Sequence, residues 1–361
     1  MLQITYPFNG AVLNHRIGTQ NQDGITITVK GIADLPGDVV VNGVKADRYG
    51  NQFHADVTLN AFDNPIVAIQ DNQFGTIQHN ITARWDKYSF KRYRFAIDDN
   101  SFFLRDLVQN KPKSIFDNLY LAILKRMNEK YNTKFSVNCF FETPEGDFNL
   151  TQMPEDWKQQ FLDNADWLKL TWHAYNEFPD RPYQYATAEK IIADLDLVQG
   201  EIHRFAGEDT WAMPTIIHWG EILPSTLPKL YKRGIRVLSG YFSKSSERYD
   251  VSFGLDEPRC SFLEHNRLLV HYPSNVVFSR IACVVNTTKI EDIVPKLKRE
   301  IGSPENAEVI DLLTHEQYFW PFYRNFIPDH EQRLDTAIKF LTDNGYEPAF
   351  YHQGFLGAKI D

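Results

Sequence analysis

Titratable residues stand directly after three short apolar segments that predict β-strands. The first segment ends in Asp98-Asp99, and two neighbouring carboxylates in a buried site repel each other unless a cation or a shared proton lies with them. A second segment leads to His173, with Glu177 four positions later, a spacing that lets both side chains turn toward one ion if the loop winds helically. The third segment leads to His315. These residue types favour a metal site with acid–base groups beside it.

The segments that carry these residues belong to a succession of strand-then-helix patterns that begins after Trp85. This succession predicts a (β/α) barrel of parallel strands, in which polar residues after the strand ends gather at one mouth. Apolar residues at three- and four-residue steps predict helices after Thr187, over 225–234 and after Asp329. The predicted strands are 93–97, 134–138, 168–171, 212–217, 236–238, 268–270 and 309–313.

A β-rich module precedes the predicted barrel. The first 128 residues contain no Glu, and apolar and polar residues alternate over 24–31 and 53–59, which predicts half-buried strands of a β-sandwich. Asn42-Gly43 between two apolar runs predicts a two-residue hairpin. The order of these segments resembles a bacterial immunoglobulin-like module. We therefore predict two domains, an immunoglobulin-like β-sandwich over residues 1–87 and the (β/α) barrel over residues 88–361.

The composition disfavours several classes of partner. The 361 residues include 38 Lys and Arg against 47 Asp and Glu, a net charge of −9, without the concentrated basic run that nucleic acids or anionic membranes require. No run of 18 apolar residues predicts a membrane span. The start, MLQITYPFNG, lacks a signal-peptide pattern, so we expect a cytoplasmic chain, or an exported one if a leader was removed. Three scattered cysteines are too few for a disulfide framework.

The order of the motifs resembles a known family. The chain beyond the first domain is similar to the polysaccharide deacetylase domain of carbohydrate esterases, through FAIDDN at the first strand, His173-x-x-x-Glu177 after the third and LLTHEQ at the last. The resemblance implies a distorted (β/α) barrel of the polysaccharide deacetylase type, and a hydrolase that removes N- or O-linked acetyl groups from a carbohydrate. It implies Asp98 as general base and His315 as general acid. It also implies Asp99 and His173 as ligands of a divalent metal, for which Zn²⁺ is favoured.

Two positions depart from the family's pattern. Glu177 stands where the family has a second histidine, and a carboxylate can still ligate a divalent ion, so Glu177 is predicted as the third ligand. Residues 211–214 read Trp-Ala-Met-Pro, which retains the proline but lacks the arginine of the family's Arg-x-Pro segment. Without that cation, the pKa of Asp98 rises or its orientation loosens. The alternative is therefore an inactive protein that binds a glycan or a partner on the same fold.

Aromatic and polar residues near the predicted strand ends are candidates for sugar contacts, because the C–H groups of a pyranose pack on aromatic faces. His218 follows one predicted strand, where it can touch metal or substrate. A glycosidase that pairs carboxylates such as Asp98 and Glu177 without a metal is a further possibility. The predicted substrate-binding residues are Trp172, Tyr175, Pro214, His218, Trp219 and Tyr318.

Overall fold

The structure, a computed structural model, describes residues 1–73, 75–245, 248–353 and 356. Contacts between residues divide the chain into two compact units, of which the second comprises Lys91–Arg267 and Pro273–Tyr351. The first comprises Met1–Phe90, Leu268–Tyr272 and the chain from His352 onward. The sequence placed all of 88–361 in the second domain. The segment at 268–272 joins the first unit because the backbone N–H of Val270 donates to the carbonyl of Gly10, at 2.8 Å.

Two five-stranded sheets make up most of the first unit. Its strands are β1 (Leu2–Tyr6), β2 (Val12–Leu13), β3 (Thr19–Gln20), β4 (Ile25–Ala33), β5 (Val39–Val41), β6 (Val44–Lys45), β7 (Asp47–Tyr49), β8 (Gln52–Leu59), β9 (Asp63–Asn72), β10 (Gly75–Trp85) and, later in the chain, β17 (Leu268–His271). One sheet has the order β1-β4-β8-β7 with β3 also paired to β4, and the other has the order β2-β10-β9-β5-β6.

Burial alternates along the strands of the first unit. In β4, Ile25, Ile27 and Val29 are buried, on the face that the alternation of the sequence predicts, and β8 alternates in the same way. The predicted hairpin is confirmed, because Asn42 and Gly43 join β5 to β6 and both have the positive φ that such a turn requires. The immunoglobulin-like character of this unit stays a prediction.

The second unit alternates strands with helices. Its strands are β11 (Arg92–Asn100), β12 (Phe135–Phe140), β13 (Leu168–Ala174), β14 (Val237–Gly240), β15 (Ser243–Ser245), β16 (Arg248–Asp250), β18 (Val276–Val284), β19 (Val309–His315) and β20 (Glu347–Pro348). Its helices are α1 (Phe102–Asn110), α2 (Leu119–Tyr131), α3 (Lys158–Leu162), α4 (Ala188–Phe205), α5 (Leu227–Arg233), α6 (Glu257–His265), α7 (Ile290–Gly302) and α8 (His330–Asp343). Among the described residues, no helix is both long and apolar enough to span a membrane.

The central sheet of the second unit has the order β13-β12-β11-β19-β18-β14, with neighbouring strands parallel. The predicted strand 212–217 is instead an irregular segment that bonds to both edges of this sheet. The backbone N–H of Ala212 donates to the carbonyl of Leu170 in β13 at 3.1 Å, and the N–H of Ser239 in β14 donates to the carbonyl of Thr215 at 2.6 Å. Strand β18 has no counterpart among the predicted strands. A closed (β/α) barrel stays a prediction.

One face of the central strands carries side chains of the candidate site. Successive residues of a strand point to opposite faces, so Arg94, Ala96 and Asp98 of β11 share one face. Their partners in the parallel strand β19 are, in the same order, Asp311, Leu313 and His315. Since both strands end at the same edge of the sheet, Asp98 and His315 lie together at that edge.

Candidate metal and acid–base site

A cavity of about 250 Å³ opens at the carboxyl ends of the central strands. Strands β11, β13 and β19 contribute side chains to it, and so do the loop after β13 and the turn His218–Gly220. The fold therefore brings together titratable groups that are far apart in the sequence. The titratable residues of this cavity that the sequence singled out are Asp98, Asp99, His173, Glu177, His218 and His315.

Three of these side chains point their ligand atoms at one another. Nε2 of His173 lies 3.1 Å from Oδ1 of Asp99 and 3.0 Å from Nδ1 of His218. Nδ1 of His218 lies 3.4 Å from the same oxygen of Asp99. Both histidines are buried, and the ring of Phe140 packs against them at centroid distances of 5.2 and 5.0 Å. This group, Asp99–His173–His218, is called the triad below.

A backbone carbonyl orients His218. Its Nε2 lies 3.0 Å from the carbonyl oxygen of Glu177, so Nε2–H donates there and Nδ1 presents a lone pair to the triad. Burial and the neighbouring His173 lower the pKa of His218 to about 4, which keeps this ring neutral at pH 7. A neutral imidazole whose second nitrogen is bound to a carbonyl is the usual form of a metal-ligating histidine.

The backbone on both sides of the triad adopts an uncommon conformation. Asp99 has φ of +61° and Trp219, directly after His218, has φ of +62°. Positive φ is uncommon for residues other than glycine, and for a bulky side chain such as tryptophan it is costly. The tight turn at Gly220 adds a second constraint, since a Cβ there would lie 2.6 Å from a side-chain atom of Val251. The strained turn sets the position of His218.

The triad fits a divalent metal ion. Two imidazole nitrogens and one carboxylate oxygen are a donor set that zinc sites use, and tetrahedral ligands about 2.0–2.1 Å from zinc lie about 3.3 Å apart. The three separations in the triad, 3.0, 3.1 and 3.4 Å, match that spacing. Although burial acts in the opposite direction, Asp98 and Asp99 raise the pKa of His173. A proton on His173 therefore competes with a metal ion for the same lone pairs.

Asp98 is buried beside the triad, with a carboxylate oxygen 3.9 Å from Nε2 of His173. The side-chain amide of Asn138 on β12 donates to its other oxygen, Oδ1. Asn138 thus supplies an orienting bond to Asp98, the task that falls to the arginine in the resembled family. Burial raises the pKa of Asp98 above its usual range, which makes the carboxylate a stronger proton acceptor.

His315 faces the cavity from the end of β19. Its Nδ1 lies 3.0 Å from Oδ1 of Asn286, so Nδ1–H donates to the amide oxygen and Nε2 is directed to the cavity. The hydroxyl of Thr314 also bonds to that amide oxygen, at 3.3 Å. The ring therefore has a fixed orientation in which Nε2 can hold or release a proton.

Glu177 lies at the cavity but outside the triad. Its carboxylate accepts a hydrogen bond from the side-chain amide of Gln317 at 3.0 Å, and its backbone carbonyl holds His218. Burial, together with the charge of Asp99, raises the pKa of Glu177 to about 7. The sequence predicted Glu177 as the third metal ligand, whereas the described ligand atoms that lie within 4.8 Å of one another belong to Asp99, His173 and His218.

The residues predicted to bind substrate occupy different environments. Trp219 lines the cavity and is 37% exposed. Trp172 is fully buried against Tyr183, at a centroid distance of 5.3 Å, and does not line the cavity. Pro214 is also buried, on the irregular segment between β13 and β14. Tyr175 is 38% exposed and stacks on Phe141, and Tyr318 packs beside His315. Pro214, Tyr175 and Tyr318 lie outside the lining of the cavity.

Sequence reasoning missed the residues that hold the site in place. Asn138 and Asn286 are amides within or directly after strands, and no spacing rule marks such residues as partners of an acid or a histidine. Glu316 and Gln317 directly follow the predicted acid His315 and were passed over. Their position directly after a motif histidine could have identified them, because residues that follow a strand end lie at the same mouth of the sheet as the histidine.

Glu316 joins the two strand ends that carry the acid–base groups. Its buried carboxylate accepts hydrogen bonds from the backbone N–H groups of Ser101 and Phe102 at 2.8 and 2.9 Å, and also from that of Phe103. Nε1–H of Trp320 donates to it at 3.1 Å. The three backbone N–H groups lie at the N-terminus of α1, where a negative charge is favourable. Glu316 thus caps the helix that follows Asp98 and Asp99.

Replacement of Glu316 by alanine should destabilise the second unit. The change leaves three buried backbone N–H groups and the indole N–H of Trp320 without their acceptor, and we expect the free energy of unfolding to fall by about 2–4 kcal/mol. Urea unfolding followed by tryptophan fluorescence measures this loss. The matched control is Glu208→Ala, at an exposed glutamate, which should change stability by less than about 0.5 kcal/mol. Equal, small effects of both substitutions would show that the cap contributes nothing.

Comparisons with known proteins assign no family. No family model matches the chain, and no curated protein matches it. Among solved structures, the chain is similar to the crystal structure of a candidate alpha-galactosidase from Bacteroides fragilis, with 12% sequence identity and a TM-score of 0.28, over 94% of this chain and 78% of that chain. A similarity this low carries no argument about fold or activity. The resemblance to polysaccharide deacetylases rests on the motifs of the sequence.

Proposed function

We propose that the chain is a metal-dependent hydrolase that removes acyl groups, of which acetyl is the simplest, from nitrogen or oxygen of a carbohydrate. One observation carries the proposal: Asp98 and His315 lie beside the triad around a single cavity. A metal site flanked by a proton acceptor and a potential proton donor is the arrangement that hydrolysis of an amide or ester requires.

Each group of residues has a separate role in the proposed reaction. Asp99, His173 and His218 would hold a divalent cation, for which zinc fits the donor set, and this ion supplies polarisation of a carbonyl group when bound. Asp98 accepts one proton of the attacking water as the water oxygen bonds to the carbonyl carbon. Protonated His315 gives a proton to the departing nitrogen or oxygen as the acyl bond breaks. The products are a carboxylic acid and an amine or alcohol.

A carbohydrate is the substrate class that the mouth of the cavity supports. The half-exposed ring of Trp219 and the side chain of Tyr241 both line the cavity. Aromatic faces pack against the C–H groups of sugar rings, while neighbouring carboxylates such as Asp180 can accept bonds from hydroxyl groups. The motifs that resemble polysaccharide deacetylases point to the same class.

The two departures that favoured an inactive relative have structural replacements. His218 supplies the second imidazole that Glu177 does not. Asn138 supplies the orienting bond to Asp98 that the absent arginine does not. Glycoside hydrolysis is a second candidate, favoured by one observation: Asp98 and Glu177 line the same cavity and burial raises the pKa of both.

Hydrolysis of N-acetylated and O-acetylated glucosamine oligosaccharides by the full chain tests the proposal. We expect release of carboxylate from the zinc-loaded protein, loss of that release after treatment with a chelator, and its return when zinc is added back. Release of reducing sugar that persists in the chelator would instead support the glycosidase. Zinc-loaded protein that binds these oligosaccharides but releases neither product would support the inactive relative.

A further inference from the structure

An apolar chamber lies beside the triad on the inner face of the central sheet. A cluster of buried apolar residues forms its wall, with Tyr241 packed against the cluster. Ser239 on β14 also lines the cavity, and its hydroxyl is occupied by bonds with Arg94 and Asp311 at 2.7 and 3.1 Å. Besides Trp219 at the mouth, the apolar side chains that line the cavity are Ile216, Ile217, Tyr241, Val251, Ile281, Val284 and Leu313.

A small residue on β11, Ala96, belongs to the apolar cluster beside the cavity. Ala96 stands one step below Asp98 on the same strand face and is aligned with Leu313. A step further from the site, Arg94 is fixed in a buried ion pair with Asp311, whose atoms lie 3.4 Å apart, so its long side chain is held at that level. Between the polar layer at Asp98 and the polar layer at Arg94, the structure thus has an apolar layer.

The size and lining of the chamber limit what it can hold. A cavity of about 150 Å³ lined by leucine, isoleucine and phenylalanine stays dry and binds benzene. The whole cavity in this protein, which includes the polar mouth as well as the apolar chamber, measures about 250 Å³. Apolar walls disfavour the hydroxyl groups of a sugar, because each buried hydroxyl needs a partner. An alkyl or aryl group fits this layer, while a sugar fits the mouth near Trp219.

We propose that this chamber receives the substituent of the acyl group, so that the preferred substrate carries an acyl chain larger than acetyl. The inference rests on the proposed function, because hydrolysis places the acyl carbon at the triad. The sugar then lies on the side of the mouth, and the acyl chain extends past Leu313 toward Ile281. The leaving product is a carboxylic acid of intermediate chain length rather than acetate.

Calorimetric titration of the zinc-loaded full chain with acetate, butanoate and hexanoate tests this inference without turnover. Burial of each methylene should tighten binding about fourfold, and the heat capacity change should become more negative along the series. The matched substitutions are Ile281→Phe, which fills the chamber, and Ile281→Val, which does not. We expect Ile281→Phe to lower the ratio of hexanoate to acetate affinity at least tenfold and Ile281→Val to preserve it, with equal zinc content.

The outcomes separate this inference from the proposed function. If hexanoate binds no more tightly than acetate to the wild-type chain, the inference is overturned, and the proposed function stands if acetyl groups are released. If affinity rises with chain length but no acylated sugar is hydrolysed, the chamber is supported and the proposed function fails. The wild-type series decides the matter even if Ile281→Phe does not fold.

Discussion

Replacement of His218 by alanine is expected to remove tight zinc binding, while replacement of Glu177 by glutamine is expected to leave it nearly intact. His218 directs Nδ1 at the triad, so its loss removes one of three ligands. Loss of an outer-shell partner alone costs about 10–100-fold in metal affinity, and we expect His218→Ala to cost more. Glu177→Gln keeps the backbone carbonyl that orients His218, so its effect should stay below about tenfold.

Competition titration with a chromophoric zinc chelator measures both affinities on the same scale. His203→Ala is the matched control, because His203 lies on α4 outside the cavity lining and should leave zinc affinity unchanged. If Glu177→Gln weakens zinc binding while His218→Ala leaves it intact, the ligand set predicted from the sequence is right and the triad is not the site. Circular dichroism of each variant shows whether it is folded.

Replacement of Asp98 by asparagine is expected to lower kcat for acyl release by about 10²–10⁴, the range that a positioned proton acceptor contributes. The substitution preserves the shape of the side chain but removes its ability to take a proton. Zinc content should be unchanged, because Asp98 is not part of the triad. Initial rates of carboxylate release from the zinc-loaded variant and wild type measure the effect.

The pH dependence of the same reaction provides a second readout. Asp98 must be ionised to accept a proton, so the rate should fall as pH drops through the pKa of Asp98. Because burial raises that pKa, the acid limb should lie above the ordinary aspartate value of 3.8. Asp98→Asn should abolish this limb in the residual activity. An unchanged kcat, or an acid limb that survives the substitution, would remove Asp98 from the role of base.

The sequence predicted the location of the candidate site better than its ligand set. Asp99 and His173 could be found because each directly follows or ends a recognisable strand, and parallel strands end at one edge. The sequence predicted that His218 touches metal or substrate, but it did not place His218 in the ligand set, because its position depends on a turn with positive φ at Trp219. Apolar periodicity carries no information about such a turn. The regular spacing of His173 and Glu177 therefore suggested a ligand pair that the folded loop does not form.

The strands of the second unit also show where apolar patterns in the sequence fail to predict the structure. Strand β18 is buried at nearly every position, so its sequence lacks the alternation that marks a half-buried strand. The predicted strand 212–217 ends in the buried residues Ile216 and Ile217, but this segment is irregular and makes only isolated backbone bonds to its neighbours. Alternating strands such as β4 and β8, with one buried face, could be predicted correctly.

Anomalous diffraction at the zinc absorption edge, from crystals of the zinc-loaded full chain, tests the central claim most directly. We predict a single strong peak at the triad, about 2.0–2.2 Å from Nε2 of His173, Nδ1 of His218 and a carboxylate oxygen of Asp99. A peak held by Glu177 in place of His218, or zinc bound elsewhere with none at the triad, would contradict it.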